Sequence, residues 1–86
     1  MALTLSARNE GVTADGKRQV EYLCTFDDGS ADDVTKAELG LVEVDEIVQV
    51  VKTASSIAID VTANDATKVT LDPSGAGSAT VRFVGH

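Results

Sequence analysis

The chain has 86 residues, a formal net charge of −7 and 43% hydrophobic residues, which indicates one folded domain (residues 1–86) and excludes a disordered chain. Its seven lysines and arginines are scattered, so no basic cluster predicts binding to nucleic acid or to an acidic membrane surface. A single cysteine excludes an intrachain disulfide, and no apolar run approaches the roughly 20 residues of a membrane-spanning helix.

The first half of the chain alternates strand patterns with turn signals. A first strand is predicted from Leu3 to Ala7, and Ala14-Asp15-Gly16 is the turn candidate that follows it. A second and stronger strand is predicted from Arg18 to Phe26 because apolar residues alternate along it. Its inward face consists of every second residue: Val20, Tyr22, Cys24 and Phe26.

One helical turn is predicted after an acidic run of residues 27–33. Thr35 and Glu38 match a capping box, in which each side chain accepts a hydrogen bond from the backbone amide of the other. Gly40 suits the left-handed residue that ends a helix. The apolar residues on either side of this glycine, Leu39 and Leu41, are predicted to close one end of the core.

Four further strands are predicted in the second half. They run from Leu41 to Lys52, from Ser56 to Thr62, from Thr67 to Asp72 and from Ala79 to Gly85. The predicted inward residues of the last three are Ile57, Ile59, Val61, Val69, Leu71, Val81 and Phe83.

The strand that begins at Leu41 contains a conflict. Glu46 shares the parity of four valines that would face the core. A β-bulge near Asp45-Glu46 would turn Glu46 outward, so a bulge is predicted there. The four valines are Val42, Val44, Val48 and Val50.

Sequential strands joined by short turns favour antiparallel pairing. The predicted fold is therefore all-β, a small antiparallel β-sandwich or barrel of about six strands with one short helical turn. Its predicted core includes all three aromatic residues, which are Tyr22, Phe26 and Phe83.

No pattern in the sequence predicts catalysis. His86 is the only histidine and the last residue, and a frayed terminus is a poor place for a general base. Cys24 shares the core parity of its strand, so we interpret it as a small apolar side chain rather than a nucleophile. We therefore expect no catalytic residue, no cofactor and no essential metal.

Two loops contain weaker signals for ligand binding. The acidic run from Asp27 to Asp33 resembles a cation site in composition but lacks the spacing of an EF-hand loop, so we interpret it as a turn whose carboxylates cap local amides. The segment from Pro73 to Ser78 contains Gly-x-Gly without the lysine or the following helix of a phosphate loop. We interpret it as a flexible hairpin loop.

Four short motifs follow one another between residues 17 and 48. They are Lys17-Arg18, Thr25-Phe26, Thr35-x-Ala37-x-Leu39-Gly40-Leu41 and Val44-Asp45. Their order is similar to that in a group of small structural proteins of tailed bacteriophages, with a looser match at residues 79–83. The acidic run 27–33 departs from that group, which tends to carry Ser, Tyr, Pro and Gly-Gly there. The segment from Thr53 to Leu71 is also shorter and lacks aromatics.

The resemblance implies a non-enzymatic virion component, a capsid decoration or cement protein that is made in the host cytoplasm and binds the major capsid protein on the phage head. The small size and the missing disulfide predict a homo-oligomer, a dimer or trimer. The predicted contact elements are the terminal strands, residues 2–8 and 79–85, as possible sheet edges. The alternative is a receptor- or carbohydrate-binding module of a phage tail or fibre.

Overall fold

The computed structural model describes residues 3–51 and 54–86 and confirms the predicted all-β fold with one short helical turn. The strands form two antiparallel sheets, one with the order β1-β2-β7-β4 and one with the order β3-β6-β5. The elements are β1 (Leu3–Val12), β2 (Arg18–Phe26), β3 (Asp32–Thr35), α1 (Lys36–Leu39), β4 (Val44–Val50), β5 (Ile59–Asn64), β6 (Lys68–Pro73) and β7 (Gly77–Gly85). None of the described helical residues forms a segment long and apolar enough to cross a membrane.

One hydrophobic core joins the two sheets. Residues of the four-stranded sheet pack with residues of the three-stranded sheet in a single buried cluster, so the two sheets face each other as layers. The predicted common core of the three aromatic residues is confirmed, because all three belong to this cluster. Its largest fully buried side chains are Phe83, Leu39, Leu71, Val20, Val34, Val69 and Val81.

The structure has one strand more than the six predicted from the sequence. The additional strand is β3. Asp32 and Asp33 look like loop residues by composition, but β3 pairs antiparallel with β6. Its inward residue, Val34, is fully buried. The carboxylate of Asp33 accepts hydrogen bonds from the Thr70 hydroxyl at 2.6 Å and from the Lys68 amine at 3.2 Å. Cross-strand pairing therefore outweighs the low strand propensity of aspartate.

The predicted capping box and the glycine that ends α1 are both confirmed. The Glu38 amide donates to the Thr35 hydroxyl, and Glu38 accepts from the Thr35 amide. Gly40 adopts the left-handed conformation with φ 71°. The turn ends there, and its neighbours Leu39 and Leu41 are both buried in the core, as predicted.

The predicted bulge in β4 is confirmed at Asp45. Val44 pairs with Gly85 and Glu46 pairs with Val84, so Asp45 is the extra residue. The bulge also changes the parity of every residue after it, because side chains alternate along a strand. Ile47 and Gln49 therefore face inward. The prediction that Val42 and Val48 face the core is wrong, because they are 79% and 37% exposed.

The inward side chain of Gln49 in β4 connects the two sheets by hydrogen bonds. Its side-chain nitrogen donates to the Ile57 carbonyl at 2.6 Å, and its side-chain oxygen accepts from the Ile59 amide at 2.9 Å. These two bonds satisfy the backbone amide of the first residue of β5 and a carbonyl two residues before it. Further along β5, Val61 pairs with the buried Leu71 and so shares its face, as predicted, but Val61 is 42% exposed because β5 is an edge strand.

Candidate functional site

The motifs that prompted the phage resemblance contact one another. The Arg18 guanidinium donates to the Gly40 carbonyl at 2.7 Å, and the Lys17 amine lies 3.3 Å from an Asp45 carboxylate oxygen. The Lys-Arg pair thus contacts both the Leu-Gly-Leu turn and the Val-Asp strand. These residues therefore form one structural unit within the chain. Their contacts with one another are structural and do not indicate a ligand.

Arg8 completes this unit from the neighbouring strand. Its guanidinium donates to the Glu38 carbonyl at 2.9 Å and to the Leu39 carbonyl at 3.3 Å, and it also donates to the Tyr22 hydroxyl. Hydrogen bonds to Glu10 and Tyr22 raise the pKa of Arg8. The carbonyls at the end of a helix lack intrahelical partners and carry partial negative charge, so this cation stabilises the end of α1.

We expect Arg8→Ala to lower the free energy of unfolding by about 1–2 kcal/mol, because two charge-assisted bonds to α1 and one to Tyr22 are lost while water replaces part of them. Urea unfolding at neutral pH measures this change. Arg18→Ala is the matched control, since Arg18 makes a single carbonyl bond and is more exposed. A loss in Arg18→Ala equal to or larger than that in Arg8→Ala would contradict this assignment.

Strand β1 is the longest exposed sheet edge. It has ten residues, of which Leu3 and Leu5 pack against the core and the others are exposed. Among the described residues, strands pair only with its inner edge, where β2 lies. A bulge between Ser6 and Asn9, with Ala7 at φ 51°, interrupts the edge near its middle. The backbone groups of the outer edge are thus available to another chain.

The two predicted contact strands differ in position. The prediction that residues 79–85 offer a sheet edge is wrong, because β7 is a central strand that pairs with β2 on one side and β4 on the other. The prediction for residues 2–8 agrees with the edge position of β1, although Ala2 lies outside the described residues.

Cys24 is buried as predicted. Its side chain is fully buried in the core, and burial raises the pKa of the thiol to about 12. The thiol is therefore protonated near neutral pH, and the thiolate that would act as a nucleophile does not form.

The acidic run 27–33 uses carboxylates for local contacts, as predicted. The Ser30 amide donates to Asp28, and the Asp33 amide donates to Asp32, each at 2.8 Å. The Gly-x-Gly segment is not a hairpin loop, because it joins β6 of one sheet to β7 of the other. Its Ser74 amide donates to the Ala58 carbonyl at 2.9 Å.

His86 is not frayed, which corrects the prediction. Its amide donates to the Glu43 carbonyl at 3.1 Å, and its carbonyl accepts from the Val42 and Glu43 amides at 2.7 and 2.9 Å. Its two ring nitrogens, Nε2 and Nδ1, lie 3.3 Å from a Glu43 oxygen and 3.5 Å from an Asp45 oxygen. We call these three side chains the carboxylate–imidazole cluster.

An open depression of about 380 Å³ lies beside this cluster. Glu43 and Asp45 form part of its wall, and Lys36 from α1 and Asn64 from β5 form another part. The side-chain amide of Asn64 donates to the Val44 carbonyl at 2.9 Å, which ties the wall together. The cluster therefore borders a space that admits water or a small ligand.

No family model, curated protein or solved structure matches this chain. The resemblance to phage structural proteins stays a prediction from four short motifs.

Proposed function

We propose that this protein is a non-enzymatic virion component of a tailed bacteriophage, a capsid decoration or cement protein that stabilises the head by binding the major capsid protein. It is made in the host cytoplasm and is located on the capsid surface. The observation that carries the proposal is the exposed edge strand β1, which at ten residues is the longest edge strand of this small two-sheet domain.

An exposed edge strand binds protein chains through its backbone. The outward N–H and C=O groups of β1, which pair with no other strand among residues 3–51 and 54–86, are able to accept an extended segment of the capsid protein as an additional strand. Such pairing has little dependence on side chains, which suits a repeated shell in which the same segment is presented many times. Stable interfaces bury about 1,200–2,000 Å² in total, so a second face of this small domain must also contribute.

The net charge of −7 contributes to docking through long-range attraction. It favours a positively charged partner surface, and salt screens this attraction beyond roughly 8–10 Å. We propose that the bound form is a homo-oligomer, a dimer or trimer, because a domain of this size without a disulfide gains stability from contacts with further copies.

The alternative of a carbohydrate-binding module has no specific support in the fold. Sugar binding commonly uses exposed aromatic rings, whereas the three aromatic rings of this chain are in the core. The copy number in purified virions, measured by mass spectrometry, separates the two functions. We expect copy numbers comparable to that of the major capsid protein, and a few copies per particle would instead support a tail or fibre component.

Docking through β1 is tested by adding purified protein to capsids that lack it and counting bound copies at low and high salt. We expect binding by the intact protein and strong loss of binding in Ser6→Lys, because a lysine on an exposed edge opposes strand addition. Thr62→Lys is the matched control, since Thr62 is exposed on β5, an edge strand of the other sheet.

A deletion of residues 2–7 provides a second variant for the same experiment. Full occupancy of the capsids by the deletion variant and by Ser6→Lys would show that β1 is not the docking element. Failure of the intact protein to bind capsids at any salt concentration would contradict the decoration function itself.

A further inference from the structure

The carboxylate–imidazole cluster contains a donor set that neither the predicted fold nor the proposed function uses. The geometry points to a binding site for a divalent transition-metal ion, with Zn²⁺ as the reference ion, formed by Glu43, Asp45 and His86. This inference is independent of the proposed capsid function. It also departs from the expectation that the chain has no metal ligands.

The backbone of the cluster is held in place by strand pairing. Glu43 and His86 exchange backbone hydrogen bonds directly after the ladder between β4 and β7, and Asp45 is the bulged residue of β4. The close approach of the two strand ends requires Gly85, because a Cβ atom there would lie 1.9 Å from the Glu43 carbonyl oxygen. Ordered backbone limits the adjustment at the site to rotation of three exposed side chains.

The distances fit a metal site after a small contraction. One ligand atom from each residue lies within 4.8 Å of the other two. Ligands around a tetrahedral zinc with bonds of about 2.0–2.2 Å lie about 3.4 Å apart. The three side chains are exposed, and we expect rotation of their carboxylate and imidazole groups to close this difference when a metal ion binds.

The imidazole ring of His86 contacts both carboxylates of the cluster. Both ring nitrogens face a carboxylate oxygen. Each carboxylate therefore lies beside an imidazole nitrogen, and imidazole nitrogen with carboxylate oxygen is a donor combination that first-row transition-metal ions bind.

The donor types indicate the kind of metal. An imidazole nitrogen with two carboxylate oxygens suits zinc and related first-row ions, whereas Ca²⁺ prefers an oxygen-only set. Three protein ligands leave at least one coordination position open, and the depression beside Glu43 and Asp45 gives water access to it. The Lys17 amine, 3.3 Å from Asp45, competes with the metal for that carboxylate.

Isothermal titration of the tag-free protein with Zn²⁺ tests the site. We expect one ion per chain and a loss of affinity of at least about tenfold in His86→Ala, Glu43→Gln and Asp45→Asn. Glu46→Gln is the matched control, since Glu46 is an exposed carboxylate of the same strand that is absent from the cluster. Its affinity is expected to stay within about twofold of the parent value. Circular dichroism of each variant confirms that the fold is retained.

Ca²⁺ is the second probe in the same titration. We expect it to bind at least about tenfold more weakly than Zn²⁺, because only the two carboxylates suit it. Absence of zinc binding, zinc binding that is unchanged in His86→Ala, or an equal loss in Glu46→Gln would each overturn the inference. An equal loss in Glu46→Gln would show that Zn²⁺ is attracted by the overall negative charge of the protein and not by this cluster. Zinc affinity is measured without capsids, so this outcome is separable from failure of the decoration function.

Discussion

Replacement of Gly85 by alanine is expected to remove more than about 4 kcal/mol of stability, which is close to the whole stability of a domain of this size. An added Cβ atom would lie 1.9 Å from the Glu43 carbonyl oxygen and 2.9 Å from its carbon. The clashing atoms belong to the backbone, which cannot rotate away as a side chain can. The β4–β7 pairing must therefore separate at the bulge, close to the buried Val44.

Urea unfolding measured by circular dichroism checks this expectation. Gly11→Ala is the matched control, because an added Cβ at Gly11 in β1 meets no atom within 4 Å. We expect this control to stay within about 0.5 kcal/mol of the parent protein. Similar unfolding midpoints for the two variants would show that the strand ends at Gly85 are farther apart than the structure places them.

Phe83→Ala is expected to cost roughly 3–5 kcal/mol, the range for removal of a buried phenylalanine ring. Phe83 is fully buried on the central strand β7, opposite Val20 of β2 and Ile47 of β4. Its neighbours on both sides are held in sheet pairs, so they cannot move inward to fill the cavity. Most of the transfer free energy and the cavity cost should therefore be measured in the variant.

Thermal and urea unfolding of Phe83→Ala and of Val48→Ala provide the comparison. Val48 is 37% exposed, and it lies next to Ile47 on the opposite face of β4. The Val48→Ala variant should lose less than about 1 kcal/mol of stability, because little buried surface is removed. A loss under about 1 kcal/mol in Phe83→Ala would contradict the burial of this ring. An exposed aromatic ring would then support the alternative of a carbohydrate-binding module.

Local features were predictable from the sequence. The predicted inward residues of β2, β6 and β7 are buried, and the capping box of Thr35 and Glu38 and the left-handed Gly40 are confirmed. Each depends on residues a few positions apart, whose side chains alternate along a strand or bond to the nearest amides. The bulge at Asp45 was also predictable, because a carboxylate at an inward position is costly to bury.

The strand order was decided only by the tertiary structure. Nothing in residues 79–85 distinguishes a central strand from an edge, and β7 is central because β2 and β4 both pair with it. Strand β3 likewise exists through its pairing with β6. Pairing between segments far apart in sequence depends on which apolar faces meet in the core, and the pattern of one segment does not contain this information.

The same reason explains the carboxylate–imidazole cluster. The sequence presents His86 as an isolated terminal residue and Glu43 and Asp45 as two acidic residues of a strand. The antiparallel pairing of β4 with β7 places Gly85 opposite Val44 and so brings His86 between the two carboxylates. Composition and local periodicity determined the all-β core of this protein, whereas long-range strand pairing determined which polar groups meet on its surface.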